Sequence, residues 1–257
     1  MSHPSFPPHH STSSKRAVSD AQQHITAFWS MVAPGYEAHG GNVPAFDTPL
    51  YSAWTSEIDA IVPSPPADVL DLATGTGFVA VILAALGHRV TAVDLSADML
   101  RIASNTATER GQTIRFLFDD AIAPAFESAG FDVITNRHLL WTLREPDRAL
   151  SAWRELLRPG GLLVAFDGFW FDPRPGPHDD EPEPFRRHYT AETRAELPFM
   201  HLDRTDSIVA AVERAGFHDV EVRSLPELGD GPDRAVPYVL TARVPTHIDA
   251  SATEMSG

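Results

Sequence analysis

The sequence predicts an α/β fold: a seven-stranded, mostly parallel sheet with helices on both faces. Three observations carry this. The stretch Val69-Leu70-Asp71-Leu72-Ala73-Thr74-Gly75-Thr76-Gly77 is a short apolar run that ends on an acid. It passes through a turn of small residues and leads at once into Phe78-Val79-Ala80-Val81-Ile82-Leu83. That reads as strand, tight turn and helix, and the lack of bulk in the turn lets backbone N–H groups at the helix start approach a ligand. Second, strand-length apolar runs alternate with helical periods as far as Asp167, the pattern of βα units that feed a parallel sheet. Third, two late runs, 217–224 and 236–244, flank the turn-rich segment 226–234 and are expected to pair as a hairpin.

Composition bounds the function. A chain of 257 residues with 43% hydrophobic content is enough for one domain with a large core and short for two. The net charge is -15 and there is no basic stripe, so nucleic acid is not an expected partner. The acidity reads as a solvating surface. There are no cysteines, which removes disulfides, thiolate zinc sites and a cysteine nucleophile. No apolar run reaches the roughly 18 residues of a membrane helix, and the first residues lack the apolar core of a signal peptide. The expectation is a cytoplasmic monomer or homodimer with no membrane partner.

The elements follow in order. Residues 1–19, rich in Pro, Ser and His, and residues 246–257 are expected to be disordered tails. Between them, 20–245 forms one domain. A helical cap (20–66) opens it: Ile25, Phe28, Trp29 and Val32 share helical spacing. A second helix is expected over 45–62, with Phe46, Leu50, Trp54, Ile58 and Ile61 on one face, and Pro63-Ser64-Pro65-Pro66 ends it. The core (67–168) has strands at 68–72, 89–94, 113–118, 131–136 and 162–167. Gly87 and Gly111 close helices, and Ser96 is placed to cap the helix that starts at Ala97. A third core helix spans 146–157, before the turn Arg158-Pro159-Gly160-Gly161. The insertion 169–204 is irregular and rich in Pro, charge and aromatics, which suits a lid. The last helix and the hairpin occupy 205–245.

In an open α/β sheet, ligands bind beyond the C-terminal strand ends near the point where strand order reverses. Here the strand ends supply Asp71, Asp94, Asp119, Asp120, Asn136, Arg137, His138 and Asp167. An acid ending the second strand can accept both hydroxyls of a ribose, which suits Asp94. Asp120 can accept from an adenine amino group. Two cofactors compete for the turn. Gly75-Thr76-Gly77-Phe78-Val79-Ala80 formally fits the dinucleotide fingerprint, with Asp94 at a fitting distance. Asp71, however, would repel a pyrophosphate and attract the ammonium of a methionine moiety. That charge favours S-adenosylmethionine over NAD.

Val69 to Gly77, Asp94-Leu95-Ser96-Ala97-Asp98-Met99-Leu100, Phe131-Asp132-Val133-Ile134 and Leu156-Leu157-Arg158-Pro159-Gly160-Gly161 together resemble the successive motifs of class I S-adenosylmethionine-dependent methyltransferases, a Rossmann-like fold. The similarity spans about Phe28 to Arg243. The family usually has Gly where this chain has Ala73. Asn136-Arg137-His138-Leu139-Leu140-Trp141-Thr142-Leu143 is similar to a bacterial small-molecule subgroup. The resemblance implies that Asp71, Ala73, Thr74, Gly75 and Gly77 hold the methionine part. Asp94 would hold the ribose, with Leu95 and Met99 on the adenine side, and Asp120 and Ala121 would meet the adenine edge. Asn136 and Arg137 lie beside the amino group and sulfonium, and Tyr36 closes over the methionine end.

The expected reaction is methyl transfer to a nitrogen or oxygen atom of a small-molecule acceptor in specialised metabolism, with carbon less favoured. An oxygen nucleophile usually needs a base. His138 is the first candidate, since histidine titrates near neutrality, and Asp167 the second. Trp141 and the lid aromatics Trp170 and Tyr189 are placed to wall a flat, apolar acceptor, with plain packing as the alternative for each. His178-Asp179-Asp180-Glu181 resembles a metal cluster in composition only, and no metal is expected. A protein acceptor, an NAD-dependent oxidoreductase and a non-catalytic S-adenosylmethionine-binding protein are the competing readings.

Overall fold

The computed structural model describes residues 19–36, 44–174, 178, 181–228 and 236–246. The tail histidines His3, His9 and His10, and Asp179 and Asp180, lie outside the described residues.

Seven strands form one sheet: β1 (Asp68–Leu72), β2 (Arg89–Asp94), β3 (Ile114–Phe118), β4 (Phe131–Arg137), β5 (Leu157–Asp167), β6 (His218–Ser224) and β7 (Tyr238–Arg243). Their order is β3-β2-β1-β4-β5-β7-β6. β1 pairs in parallel with both β2 and β4, and only β7 runs antiparallel to its neighbours. The chain first winds outward from β1 to β3 and then restarts at β4 on the other side of β1. Strand order therefore reverses between β1 and β4, where an open sheet leaves a crevice. The register sets Asp71 beside Ala92 and Thr135.

Alternation along the strands splits the core in two. Leu70, Leu72 and Ile134 face α5 (Pro146–Leu156) and α8 (Asp206–Arg214), around the fully buried Trp153. Val69, Ala92, Val133, Val164 and Phe166 face the other way. They pack against α2 (Pro49–Ile61) through Trp54 and Ile58, against α3 (Phe78–Ala85), and against α4 (Ala97–Glu109) through Leu100 and Ala103. α1 (Asp20–Val32) lies apart from both. Its Ile25 and Phe28 pack with Trp141, Phe185, Tyr189, Leu197 and Met200. Burial of each such large side chain contributes about 1.5–3 kcal/mol.

Two element boundaries and the insertion depart most from the sequence expectation, the other strand and helix ends shifting by one or two residues. The second helix begins at Pro49, not Ala45. Thr48 accepts the Tyr51 N–H and Pro49 takes the first helical turn, where its missing N–H costs nothing. β5 begins at Leu157 and absorbs Arg158-Pro159-Gly160-Gly161 as an irregularity, because Gly160 at φ +78° bends the strand without ending its pairing with Phe131. The insertion is less irregular than its composition: α6 (Glu183–His188) and α7 (Ala191–Ala195) form in it. They are anchored by the buried Arg194, whose Nη1 donates to Glu181 Oε1 at 3.0 Å and whose Nε donates to the Tyr189 carbonyl at 2.7 Å.

Candidate active site

The ends of β1, β2 and β4 open into a cavity lined by the turn after β1, by α1 and by the loop after β3. Its floor is acidic. Asp71 is buried, and each of its oxygens takes one hydroxyl donor: Thr74 Oγ1 to Oδ2 at 2.6 Å and Thr135 Oγ1 to Oδ1 at 2.7 Å. Asp94 accepts the backbone N–H of Gly75 at Oδ2 and of Ser96 at Oδ1, both at 2.8 Å. A carboxylate oxygen has room for a second donor, so both acids can also serve a ligand. Burial pushes each of them up to about 6, against the hydrogen bonds that pull the other way.

The turn between the two acids is held in the left-handed region at Ala73 (φ +50°) and Gly75 (φ +56°). This explains why glycine suits position 73. Ser96 caps α4 by accepting the Met99 N–H, and its hydroxyl meets Ser30 Oγ at 2.9 Å, which ties α1 to the floor. Beyond β3, Asp120 accepts the Ile122 N–H at 2.9 Å, and burial raises its pKa. The buried Trp153 indole donates to the Ala121 carbonyl at 2.6 Å and steadies that loop.

The roof is α1 and the turn after it: Gln22, Ile25, Thr26, Trp29 and Tyr36 line the cavity. At the far wall the Arg137 guanidinium lies 4.8 Å from the Phe78 ring centre and 5.5 Å from that of Trp54. His138 sits beside it with φ +58°. Burial, and then the Arg137 charge, hold the His138 imidazole well below its ordinary pKa, and burial raises that of the Tyr36 phenol. His138 is therefore neutral at pH 7.

Of the residues singled out from sequence, Tyr36, Asp71, Ala73, Thr74, Gly75, Asp94, Leu95, Met99, Asp120, Ala121, Arg137 and His138 all line this cavity. Six others do not. Gly77 (φ +87°) stands behind the turn, where a Cβ would come within 3.0 Å of Ala103 Cβ. It seats α3 on α4. Asn136 falls on the opposite sheet face from Thr135 and Arg137 by strand alternation. The carboxylate of Asp167 is filled by the N–H groups of Leu140, Gly168 and Trp170, so it has no face toward the cavity. Trp141 and Tyr189 pack under α1 with Phe28 and Phe185, and Trp170 lies against the His138 ring. The residues missed include those of α1, together with Ile122, Leu139, Thr142 and Leu143. One signal for α1 was available: Gln22 and Thr26, four apart, put two polar groups on an otherwise aromatic face, and Gln22 Nε2 donates to Thr26 Oγ1 at 3.2 Å.

The donor set fits S-adenosylmethionine. Two buried carboxylates suit an ammonium group and a pair of hydroxyls, and neither suits a pyrophosphate. Thr76 Oγ1, in the cavity lining, is buried without a partner among the described residues, which leaves it for a ligand. Among the described residues no cluster of His, Asp or Glu is arranged to hold a metal ion, and no helix is long and apolar enough to cross a membrane.

Comparison with known proteins agrees. Residues 69–161 match the family model described as a methyltransferase domain. The chain is 37% identical to the demethylmenaquinone methyltransferase of Thermus thermophilus over 120 residues, covering 46% of this chain and 53% of that one. It is 29% identical to the Renibacterium salmoninarum protein of the same name over 185 residues, 72% of each chain. The match thus spans about half the length of the first relative and nearly three-quarters of the second. Among solved structures, the [4+2]-cyclase SpnF superposes with a TM-score of 0.66 at 17% identity, over 90% of this chain and 98% of that one. A Haemonchus contortus phosphoethanolamine N-methyltransferase 2, solved with S-adenosyl-L-methionine, gives 0.63 at 19% identity, over 90% of this chain and 61% of that one. These two likenesses concern the fold.

Proposed function

We propose that this chain, which belongs to the class I S-adenosylmethionine-dependent methyltransferases, methylates a nitrogen or oxygen atom of a small-molecule acceptor in cytoplasmic specialised metabolism. One observation supports the reading above the others: the Asp71 carboxylate lines the same cavity as Asp94, below a turn whose N–H groups are partly spent on Asp94 itself. The cofactor supplies an activated methyl group on its sulfonium, so the protein's work is chiefly to hold two reactants in line. Asp71 receives the ammonium, Asp94 the ribose hydroxyls and Asp120 the adenine edge. Tyr36 and Trp29 close the cavity from above. His138, neutral at pH 7, takes the proton that the acceptor loses.

Isothermal titration of the full chain with S-adenosylhomocysteine and with NAD, repeated on Asp94→Ala, tests this. The expected result is micromolar binding of S-adenosylhomocysteine that Asp94→Ala abolishes, followed by turnover in a screen of phenolic and amine acceptors. Binding of NAD alone would sink the reading.

A further inference from the structure

We propose that Asp167 and Trp170 are positioning residues for His138: the carboxylate fixes the indole, and the indole fixes the imidazole against the cavity wall. The inference rests on the reading of His138 as the proton acceptor and adds how that ring is held.

Asp167 ends β5 and is 1% exposed. Its Oδ1 accepts Trp170 Nε1 and the Gly168 N–H, each at 2.8 Å, and its Oδ2 accepts the Leu140 N–H at 2.8 Å. One carboxylate therefore grips the chain on both sides of His138: the backbone two residues after it, and the indole packed against it. The Trp170 ring meets the His138 ring edge-on, with centroids 4.6 Å apart at 70°. Gly168 makes room for this contact, since a Cβ there would lie 2.6 Å from Trp170 Cζ2. The His138 backbone is held in the left-handed region, where its N–H donates to the Phe166 carbonyl at 2.8 Å. A non-glycine residue seldom adopts that conformation, and the surrounding bonds must hold it there. One short segment, Phe166 to Trp170, thus holds the His138 backbone through the Phe166 carbonyl, the following Leu140 through Asp167, and the cavity-facing imidazole through the Trp170 ring. The charged and titratable groups around that ring are Arg137 on its own strand, Asp167 behind the indole, and Tyr36 in the same cavity.

The test follows the histidine itself. The full-length protein is labelled with ¹⁵N-histidine, and His138 is assigned by its loss in His138→Gln. It is then titrated by NMR in the wild type, in Trp170→Phe and in Trp170→Ala. In the wild type its midpoint lies below the ordinary histidine value. Trp170→Ala, which lets water reach the ring, is expected to raise the midpoint by about one pH unit. Trp170→Phe keeps a ring but loses the bond to Asp167, and is expected to raise it by less. Midpoints in both variants that match the wild type overturn the proposal. Where Trp170→Ala does not fold, Trp170→Phe decides by the same criterion. S-adenosylhomocysteine binding, measured on the same samples, separates the two readings. A wild type that fails to bind it overturns the proposed function, whereas the assignment of Asp167 and Trp170 stands or falls on the titration.

Discussion

Asp71→Asn separates what the floor of the cavity costs in stability from what it contributes to binding. The carboxylate is 2% exposed, and burial raises its pKa from 3.8 to about 6. That gap of about 2 units corresponds to about 3 kcal/mol of native-state penalty at pH 7. Asparagine has nearly the same shape and no charge, so it removes the penalty. Its amide is matched less well by the two threonine hydroxyls, which donate to Asp71 at 2.6 and 2.7 Å. One of them must turn and accept, which costs about 1 kcal/mol. The variant is expected to be about 1–2 kcal/mol more stable than the wild type at pH 7, a rise in Tm of about 4 °C for a domain of this size. It also loses a charged partner for the ligand's ammonium, worth about 1.5–3 kcal/mol, or roughly tenfold to 150-fold in affinity for S-adenosylhomocysteine. Thermal melts and calorimetry on the two proteins provide both numbers. A variant that is less stable and binds equally well would refute the reasoning at both points.

Other outcomes follow from the same structure. Asp71, Asp94 and Asp167 all have folded-state pKa values raised to about 6, so between about pH 4 and 6 the native state holds more protons than the unfolded chain. Its stability should therefore rise as pH falls from 7.5 to 5, while affinity for S-adenosylhomocysteine falls over the same range as Asp71 and Asp94 are neutralised. Melts and titrations at four pH values check the opposed slopes. Gly77→Ala forces a Cβ to within 3.0 Å of Ala103 Cβ at φ +87°. Overpacking and left-handed strain together should cost about 2–4 kcal/mol in urea unfolding, with α3 displaced from α4. Arg194→Met leaves Glu181 without its buried partner. It should cost about 3 kcal/mol and speed hydrogen exchange in α6 and α7 before the sheet is affected.

The floor of the site was legible in the sequence because its chemistry is local. Asp71, Ala73, Thr74 and Gly75 lie within five residues, Asp94 and Ser96 within three, and each group sits at a strand end that periodicity locates. Asp167 and Asn136 met the same criterion and were misplaced by it. A strand end fixes where a residue is but not which face it serves, and it does not reveal that three N–H groups already occupy a carboxylate. The roof was not legible. Ile25 and Trp29 carry the same apolar spacing whether they cover a core or a ligand, and only the third dimension sets α1 over the turn. The aromatics Tyr189 and Trp141 pointed to the right neighbourhood but to the wrong layer, since they support α1 from behind rather than face the cavity.

The distance along the chain between the two parts of that roof has a consequence for how the molecule comes into being. Trp29 Nε1 donates to the Tyr189 hydroxyl across 160 residues of sequence, and that hydroxyl also meets Thr142 Oγ1. At about 5–20 residues per second of synthesis, α1 waits roughly ten to thirty seconds for its partner to emerge. During that interval β1 to β5 can already pair beneath it, while the face carrying Phe28 still lacks Phe185 and Tyr189. A chain stopped short of Tyr189 would contain every residue of the acidic floor and lack the support that holds α1 over it, so the site is enclosed only after its floor has been synthesised, with α8, β6 and β7 still to come.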